Sequence, residues 1–183
     1  MFVHPMSLNS VSDIDNKCIQ MNAVDIRVSE IRLIDSLSIS GPWPHQDQTM
    51  VISDEMTEHK EKSEPLCVDE DGFWFLNRGV YEFQSPHYVT VPEGYCGFLI
   101  SRSSLNRNGV FVLSGLYDAG FHGYVGGTLY NISGKIRMKM LTRVCQLVMA
   151  KAETVSTYKG KYNHAKTNND NSSDSTAAAD NRG

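Results

Sequence analysis

An all-β domain is the fold class this sequence predicts, and three observations predict it. From Phe73 to Val155, short segments rich in Val, Ile, Tyr, Phe and Leu alternate with Gly, Pro, Asn and Ser punctuation, the pattern of an antiparallel sandwich or barrel. Only Ser101–Asn108 breaks that run, with a compact, polar, helix-permissive stretch. A chain of 183 residues with 40% apolar side chains is also long enough to bury a real core without disulfide staples.

The strands follow in order from that alternation. Gly79–Phe83 comes first, then Tyr88–Val91 before the turn Pro92-Glu93-Gly94, then Tyr95–Ile100. Gly109–Leu113, Tyr124–Tyr130, Ile136–Met140 and Val144–Met149 complete the set. Upstream signals are weaker. Residues 1–18 read as a short N-terminal arm or initiating helix, and 19–166 as the β domain. Within it, 38–72 reads as a polar insertion, with Gly41-Pro42-Trp43-Pro44 and the charge cluster Asp54–Lys62. Residues 167–183 contain three alanines and no larger apolar side chain, so burial cannot offset the entropy of ordering them; they are expected to be disordered.

Charge and composition exclude several classes. Seventeen Lys+Arg against 21 Asp+Glu give a net charge of −4, which argues against a general nucleic-acid binder but not against a site for a small polyanion. No apolar run approaches the roughly 20 residues that span a bilayer, and no basic segment followed by an apolar one opens the chain. Neither a membrane nor an exported protein is expected. Cys18, Cys67, Cys96 and Cys145 are far apart. Two disulfides fit an oxidising compartment, but four reduced and mostly buried thiols suit this chain better, and the spacing disfavours structural zinc.

Two segments carry candidate chemistry. Arg102-Ser103-Ser104-Leu105-Asn106-Arg107 offers two guanidiniums and two hydroxyls at a probable helical turn, the donors that phosphate oxygens need. The same residues also read as surface charges with serines capping a helix. Gly115–Gly127 holds five glycines in thirteen residues around Asp118 and Phe121. Such a hairpin brings backbone close to a ligand, with Asp118 able to orient a water or a sugar hydroxyl and Phe121 able to stack on a ring. It also reads as a plain glycine-rich hairpin with an Asx-turn aspartate and a core phenylalanine.

Taken together, these segments resemble the trimeric dUTPase/dCTP deaminase superfamily. Ile19-Gln20-Met21-Asn22-Ala23-Val24-Asp25-Ile26-Arg27 is similar to its N-terminal motif in the deaminase form "I-x-P-N-S-x-D-x-R". Arg102-Ser103-Ser104-Leu105, with Arg107 and Gly109, resembles the phosphate-binding "RSSLxRxG". Asp118-Ala119-Gly120-Phe121-His122-Gly123 resembles "D-P-G-F/W-x-G", with Asn131 closing the hairpin and His122 at a variable, solvent-facing position. Thr142–Leu147 is similar to the "R-I-A-Q-L" strand, and Tyr158-Lys159-Gly160-Lys161-Tyr162 to the deaminase tail "Y-x-G-K-Y".

The resemblance implies a distorted, jelly-roll-like β-barrel with short helical segments, forming a homotrimer with active sites at subunit interfaces. It implies Mg²⁺ carried on the triphosphate of dUTP or dCTP, with no direct protein ligand, and Asp25 as a structural residue or a contact to Mg²⁺ through water. Arg102, Ser103, Ser104, Arg107 and Gln146 would hold phosphates, and the segment from Tyr158 through Lys161 to Tyr162 would close over them. Asp118 would hold the 3′-hydroxyl and orient the attacking water, and Phe121 would pack under the deoxyribose. The hairpin around Thr128 and Asn131 would read the base.

One departure separates the two branches. Deaminases carry a glutamate three residues before the hairpin Asn, where it serves as the acid/base for attack at C4 of cytosine. This chain has Thr128 there, in Val125-Gly126-Gly127-Thr128-Leu129-Tyr130-Asn131. A hydroxyl is a poor base near neutral pH, and losing a positioned acid/base costs about 10²–10⁴-fold. The hairpin resembles the dUTPase "V-G-x-x-L-F/Y-N" instead. The expectation is dUTP diphosphatase, although the Gly-rich "R-G-x-G-G-F-G" arm of that branch is missing from the sequence. dCTP deamination, alone or coupled to hydrolysis, and a non-catalytic nucleotide-binding or structural trimer are the alternatives. Size, tail and mixed motifs suit a phage or bacterial nucleotide-pool enzyme working in the cytoplasm, that of the host if viral.

Overall fold

Ten strands, one helical turn and two 3-10 turns make up the chain in a computed structural model that describes residues 1–36, 64–160 and 163. Lys161, Tyr162, the tail at 167–183 and most of the 38–72 insertion lie outside the described residues. The strands are β1 (Phe2–Val3), β2 (Val24–Arg27), β3 (Glu30–Ser36), β4 (Phe73–Leu76), β5 (Gly79–Thr90), β6 (Tyr95–Ser101), β7 (Val110–Leu113), β8 (His122–Asn131), β9 (Ile136–Lys139) and β10 (Arg143–Lys151). The helical turn α1 (Ser103–Asn106) sits between β6 and β7, inside the stretch the sequence sets apart.

β10 organises one sheet, with β6 along one edge and β2 and β1 in succession along the other, all antiparallel. The second sheet has the order β3-β5-β8-β7, and β4 and β9 form a separate ribbon. The apolar faces meet in one core, with Val24, Ile26, Leu99 and Leu147 from the first sheet and Phe83, Val89, Val125 and Leu129 from the second. Trp74 and Met138 close it from the ribbon, and the Trp74 indole N–H donates to the Leu66 carbonyl at 3.0 Å. The all-β expectation therefore holds. Among the described residues, no helix is long and apolar enough to cross a membrane.

Two expectations need correction. The strands expected at Gly79–Phe83 and Tyr88–Val91 are one strand, β5, whose inward residues alternate from Gly79 to Val89. A register shift between Gln84 and Tyr88 absorbs Pro86, which has no N–H for the ladder, and Ser85 Oγ accepts from the His87 amide at 3.1 Å. The second correction concerns the N-terminal arm. β1 pairs with β10, Val11 bridges Val89, and the amides of Ser12 and Thr90 exchange bonds with Tyr88 and Ser10, so residues 1–18 are stitched into both sheets. All four cysteines are free; Cys18 and Cys145 are buried, Cys96 is half-buried and Cys67 is exposed. Burial pushes the Cys145 thiol up, away from the reactive thiolate.

Candidate active site

The Arg102–Arg107 segment, expected from the sequence to hold phosphates, is anchored through Arg102 to a buried carboxylate. Asp25 on β2 lies opposite Gln146 on β10, and Gln146 lies opposite Ile100 on β6. Asp25 is 0% exposed, yet it is fully engaged. Arg143 Nη1 donates to Oδ2 at 3.0 Å, Gln146 Nε2 donates to Oδ1 at 3.0 Å, and Arg102 Nε stands 3.6 Å from Oδ1. A buried charge survives only with partners of this kind. Arg102 also donates from Nη1 to the Arg143 carbonyl at 3.3 Å, so one guanidinium ties the start of α1 to β10. The Asp25 carboxylate is thus a structural hub. Ser103, Ser104 and Arg107 are exposed on α1. The residue at the helix cap is Arg102, which makes no side-chain capping bond, so the serines do not act there as a cap.

A second centre forms where the chain leaves β7. Tyr117 bridges Gly97 on β6, which turns the backbone so that Asp118 is exposed and Ala119 is buried. Gly120 then adopts φ +87°, a left-handed conformation that favours glycine, and the chain enters β8 past Phe121. Phe121 is only 6% exposed, with ring centroids 4.9 Å from Tyr117 and 6.2 Å from Tyr158. The Tyr117 hydroxyl donates to the Gly126 carbonyl at 2.7 Å and accepts from the Gly126 amide at 3.2 Å. Burial pushes its phenol up to about 12. A Cβ on Gly126 would come within 2.5 Å of the Phe83 carbonyl, and one on Gly127 within 2.5 Å of the Leu113 carbonyl. Only glycine allows strands to approach that closely.

Asp118, Phe121, Gly126, Gly127 and Tyr158 line a cavity of about 1030 Å³, ample for a nucleotide. Its opposite wall comes from β3 and β5, with Glu30, Arg32 and Glu82. Tyr158 is held over the turn by its own amide, which donates to the Ala119 carbonyl at 2.7 Å. Asn163 pins the same region, accepting from the His122 amide at 3.0 Å and donating to the Gly120 and Tyr158 carbonyls at 3.3 Å.

Asp118, Phe121 and Tyr158 therefore come together, while the phosphate motif lies elsewhere in the same chain. Asp118 follows Tyr117, which sits opposite Gly97, and Arg102 lies five residues further on from Gly97, about 16 Å at the strand rise. Gln146 faces Asp25, not the cavity. Asn131 needs correction as a base-reading residue. It is 0% exposed, and its amide donates to the Leu76, Asn77 and Gly134 carbonyls at 3.3, 2.8 and 2.6 Å, with Oδ1 accepting from Ser133 N at 3.1 Å. That side chain is saturated by the protein. Thr128 is half-buried between Glu82 on β5 and Leu113 on β7. Sequence reasoning missed Tyr117, Glu82, Arg143 and Asn163 as members of these centres. Among the described residues, no group of three His, Cys, Asp or Glu side chains could hold a metal ion.

A family profile described as dCTP deaminase-like matches residues 6–152. A probable deoxyuridine 5′-triphosphate nucleotidohydrolase of Aeropyrum pernix is 33% identical over 159 residues, covering 85% of this chain and 91% of that protein. One from Halobacterium salinarum is 38% identical over 127 residues, covering 58% of this chain and 76% of its own. A dUMP-forming dCTP deaminase of Persephonella marina is 28% identical over 161 residues, covering 83% and 81%. Among solved structures, the 2′-deoxycytidine 5′-triphosphate deaminase of Agrobacterium tumefaciens superposes with TM-score 0.56 at 15% identity, covering 82% of this chain and 48% of that one. That likeness is one of fold. With the profile spanning most of the chain, and the phosphate and hairpin motifs lying on the elements described, the protein belongs to the dCTP deaminase-like family, which joins dUTPases and dCTP deaminases.

Proposed function

We propose that the protein hydrolyses dUTP to dUMP and diphosphate, working as a homotrimer. The observation that carries this reading is the pairing of Asp118, exposed toward the cavity, with Thr128 at the hairpin position where cytosine chemistry needs a carboxylate. The relatives named as probable deoxyuridine triphosphate nucleotidohydrolases support it.

In this reading Asp118 aligns a water for attack on the α-phosphorus. A bond forms from the water oxygen to phosphorus, the α–β bridging bond breaks, diphosphate leaves, and the water's proton passes by way of Asp118 to solvent. Catalysis comes from alignment and from charge stabilisation, with no covalent intermediate. Phe121, packed with Tyr117 and Tyr158, forms the floor for the deoxyribose and excludes a 2′-hydroxyl by contact. Mg²⁺ arrives on the triphosphate as part of the substrate. Arg102, Ser103, Ser104 and Arg107 supply the donors for the phosphates from a second copy, because in one chain they stand too far from Asp118. The cavity lining carries Glu30, Glu82 and Asp118 against one guanidinium, Arg32, which Glu30 holds at 2.7 Å, so guanidiniums brought by a neighbour would offset the charge of a triphosphate there.

The test is to incubate the full chain with dUTP and with dCTP and follow diphosphate and ammonia. Diphosphate from dUTP without ammonia is the expected result. Ammonia from dCTP overturns the reading in favour of deamination, and neither product from either nucleotide leaves a nucleotide-binding or structural trimer.

A further inference from the structure

The turn that carries Asp118 has its backbone groups divided between two sets of partners. Within the turn the Phe121 amide donates to the Asp118 carbonyl at 3.0 Å. Toward the end of β5, Gly120 N donates to Val91 O at 2.8 Å and Phe121 O accepts from Val91 N at 2.9 Å. The Ala119 and Gly120 carbonyls and the His122 amide find partners in the stretch that follows β10. Tyr158 N donates to Ala119 O at 2.7 Å. Asn163 Nδ2 donates at 3.3 Å to Gly120 O, which His122 Nδ1 also approaches at 3.1 Å, and Asn163 Oδ1 accepts from His122 N at 3.0 Å. One carboxamide thus acts toward the turn as a backbone peptide would, with a donor and an acceptor both engaged.

Asn163 fastens its own segment as well. Its Nδ2 donates to Tyr158 O and its backbone amide to Gly160 O, each at 3.3 Å. Glycines let the two surfaces meet. A Cβ on Gly120 would come 3.0 Å from Thr157 Cβ and 3.2 Å from Tyr158 N, and one on Gly160 would run into the Tyr158 hydroxyl. The Tyr158 ring therefore packs against Gly160 as well as Phe121, and it lines the cavity beside Asp118. Every bond in this set joins protein to protein, so docking the segment needs no nucleotide. If the Asn163 side chain is removed, the turn keeps its Phe121–Asp118 bond and both bonds to Val91, whereas the Tyr158 segment loses its side-chain clamp.

We infer that Asn163 is a positioning residue that fastens the Tyr158 segment to the Asp118–His122 turn of its own chain, holding the Tyr158 ring against Phe121 as part of the floor for the sugar. Tyr158 then serves the sugar end of the cavity, not the phosphates that its motif predicts. The inference rests on the nucleotide site proposed above but not on hydrolysis.

The experiment compares the full-length wild type with Asn163→Ala and Asn163→Asp. Amide hydrogen exchange, followed by NMR without nucleotide, reads His122 and Tyr158, with buried Leu129 on β8 as the internal standard. In Asn163→Ala the His122 and Tyr158 amides should exchange about tenfold faster while Leu129 keeps its wild-type rate. Asn163→Asp retains an acceptor for His122 and should recover protection there. Calorimetric titration with the non-hydrolysable α,β-imido analogue of dUTP should show binding weakened about tenfold in Asn163→Ala. Turnover of dUTP by that variant should show the loss in KM, with kcat within about twofold of wild type, because Asp118 stays in place. Unchanged His122 exchange, unchanged affinity or a collapse of kcat in Asn163→Ala overturns the inference and leaves the site standing. Failure of the wild type to bind the analogue overturns the site and the inference together. A wild type that binds the analogue without hydrolysing dUTP overturns the hydrolytic reading alone, and exchange and affinity then decide the role of Asn163.

Discussion

Asp118 and Tyr117 are neighbours in sequence with opposite surroundings, and each predicts a separable phenotype. Asp118 is exposed on the cavity wall, so Asp118→Asn keeps shape and size while removing the charge to which the proposed mechanism gives the water. Diphosphate release from dUTP should fall by about 10²–10⁴-fold. Calorimetry with the imido analogue should show affinity within severalfold of wild type. Unchanged turnover would mean that water is oriented by another group. Tyr117 is half-buried, and its hydroxyl clamps the backbone N–H and carbonyl of Gly126. Tyr117→Phe should cost about 1–3 kcal/mol, because the Gly126 groups lose their partner. It should also change the alkaline limb of stability. The folded phenol titrates at about 12, above its ordinary 10, so the folded state holds that proton more tightly. The contribution is present in full below pH 10 and is lost as pH rises from 10 toward 12. Urea unfolding between pH 9 and 11 should therefore slope less steeply in the variant. Asp118 and Phe121 were legible in the sequence because a local motif carries them. Tyr117 and Glu82 were not, since their places in the cavity lining come from contacts between strands, which single-strand patterns do not encode.

At the scale of elements, alternation in sequence located β6 to β10 to within a few residues, because each has one face in the core and one outside. It split β5, because Pro86 reads as a strand breaker when in fact a bulge absorbs it. β1 was invisible, two residues being too few to show a period. Asn131 shows how an element's end can be misassigned. Its motif position is legible, but its amide binds three carbonyls at the junction of β8 with the start of β5 and the Gly134 turn. Asn131→Ala strips a partner from three carbonyls, one of them buried, and from the Ser133 amide at once. Denaturant unfolding should show a loss of about 2–4 kcal/mol. At a temperature where the variant remains folded, the affinity ratio between uracil and cytosine analogues should stay at the wild-type value. A changed ratio would restore Asn131 to the base-reading role.

Over the whole molecule, the separation of the two centres makes the strongest demand. One chain offers a cavity lined by Asp118 at one place and a basic, hydroxyl-bearing turn about 16 Å away along β6. Neither centre alone suits a nucleoside triphosphate. The first lines its cavity with three carboxylates and one guanidinium, and the residues of the second lie outside that lining. The proposed homotrimer would reconcile them, because a heterologous contact repeated around a closed ring can set each cavity against a neighbour's α1. Arg102→Ala and Asp118→Asn should then each inactivate the enzyme when present in every copy. Unfolding the two variants together and refolding them at equal amounts should regenerate activity, because some sites receive Asp118 from one parent and Arg102 from the other. Random assortment gives about a quarter of sites both groups. The mixture should thus recover about a quarter of wild-type diphosphate release while running as a trimer in light scattering. If instead each site is built within one chain, no assortment makes an intact one, and the refolded mixture stays as inactive as its parents.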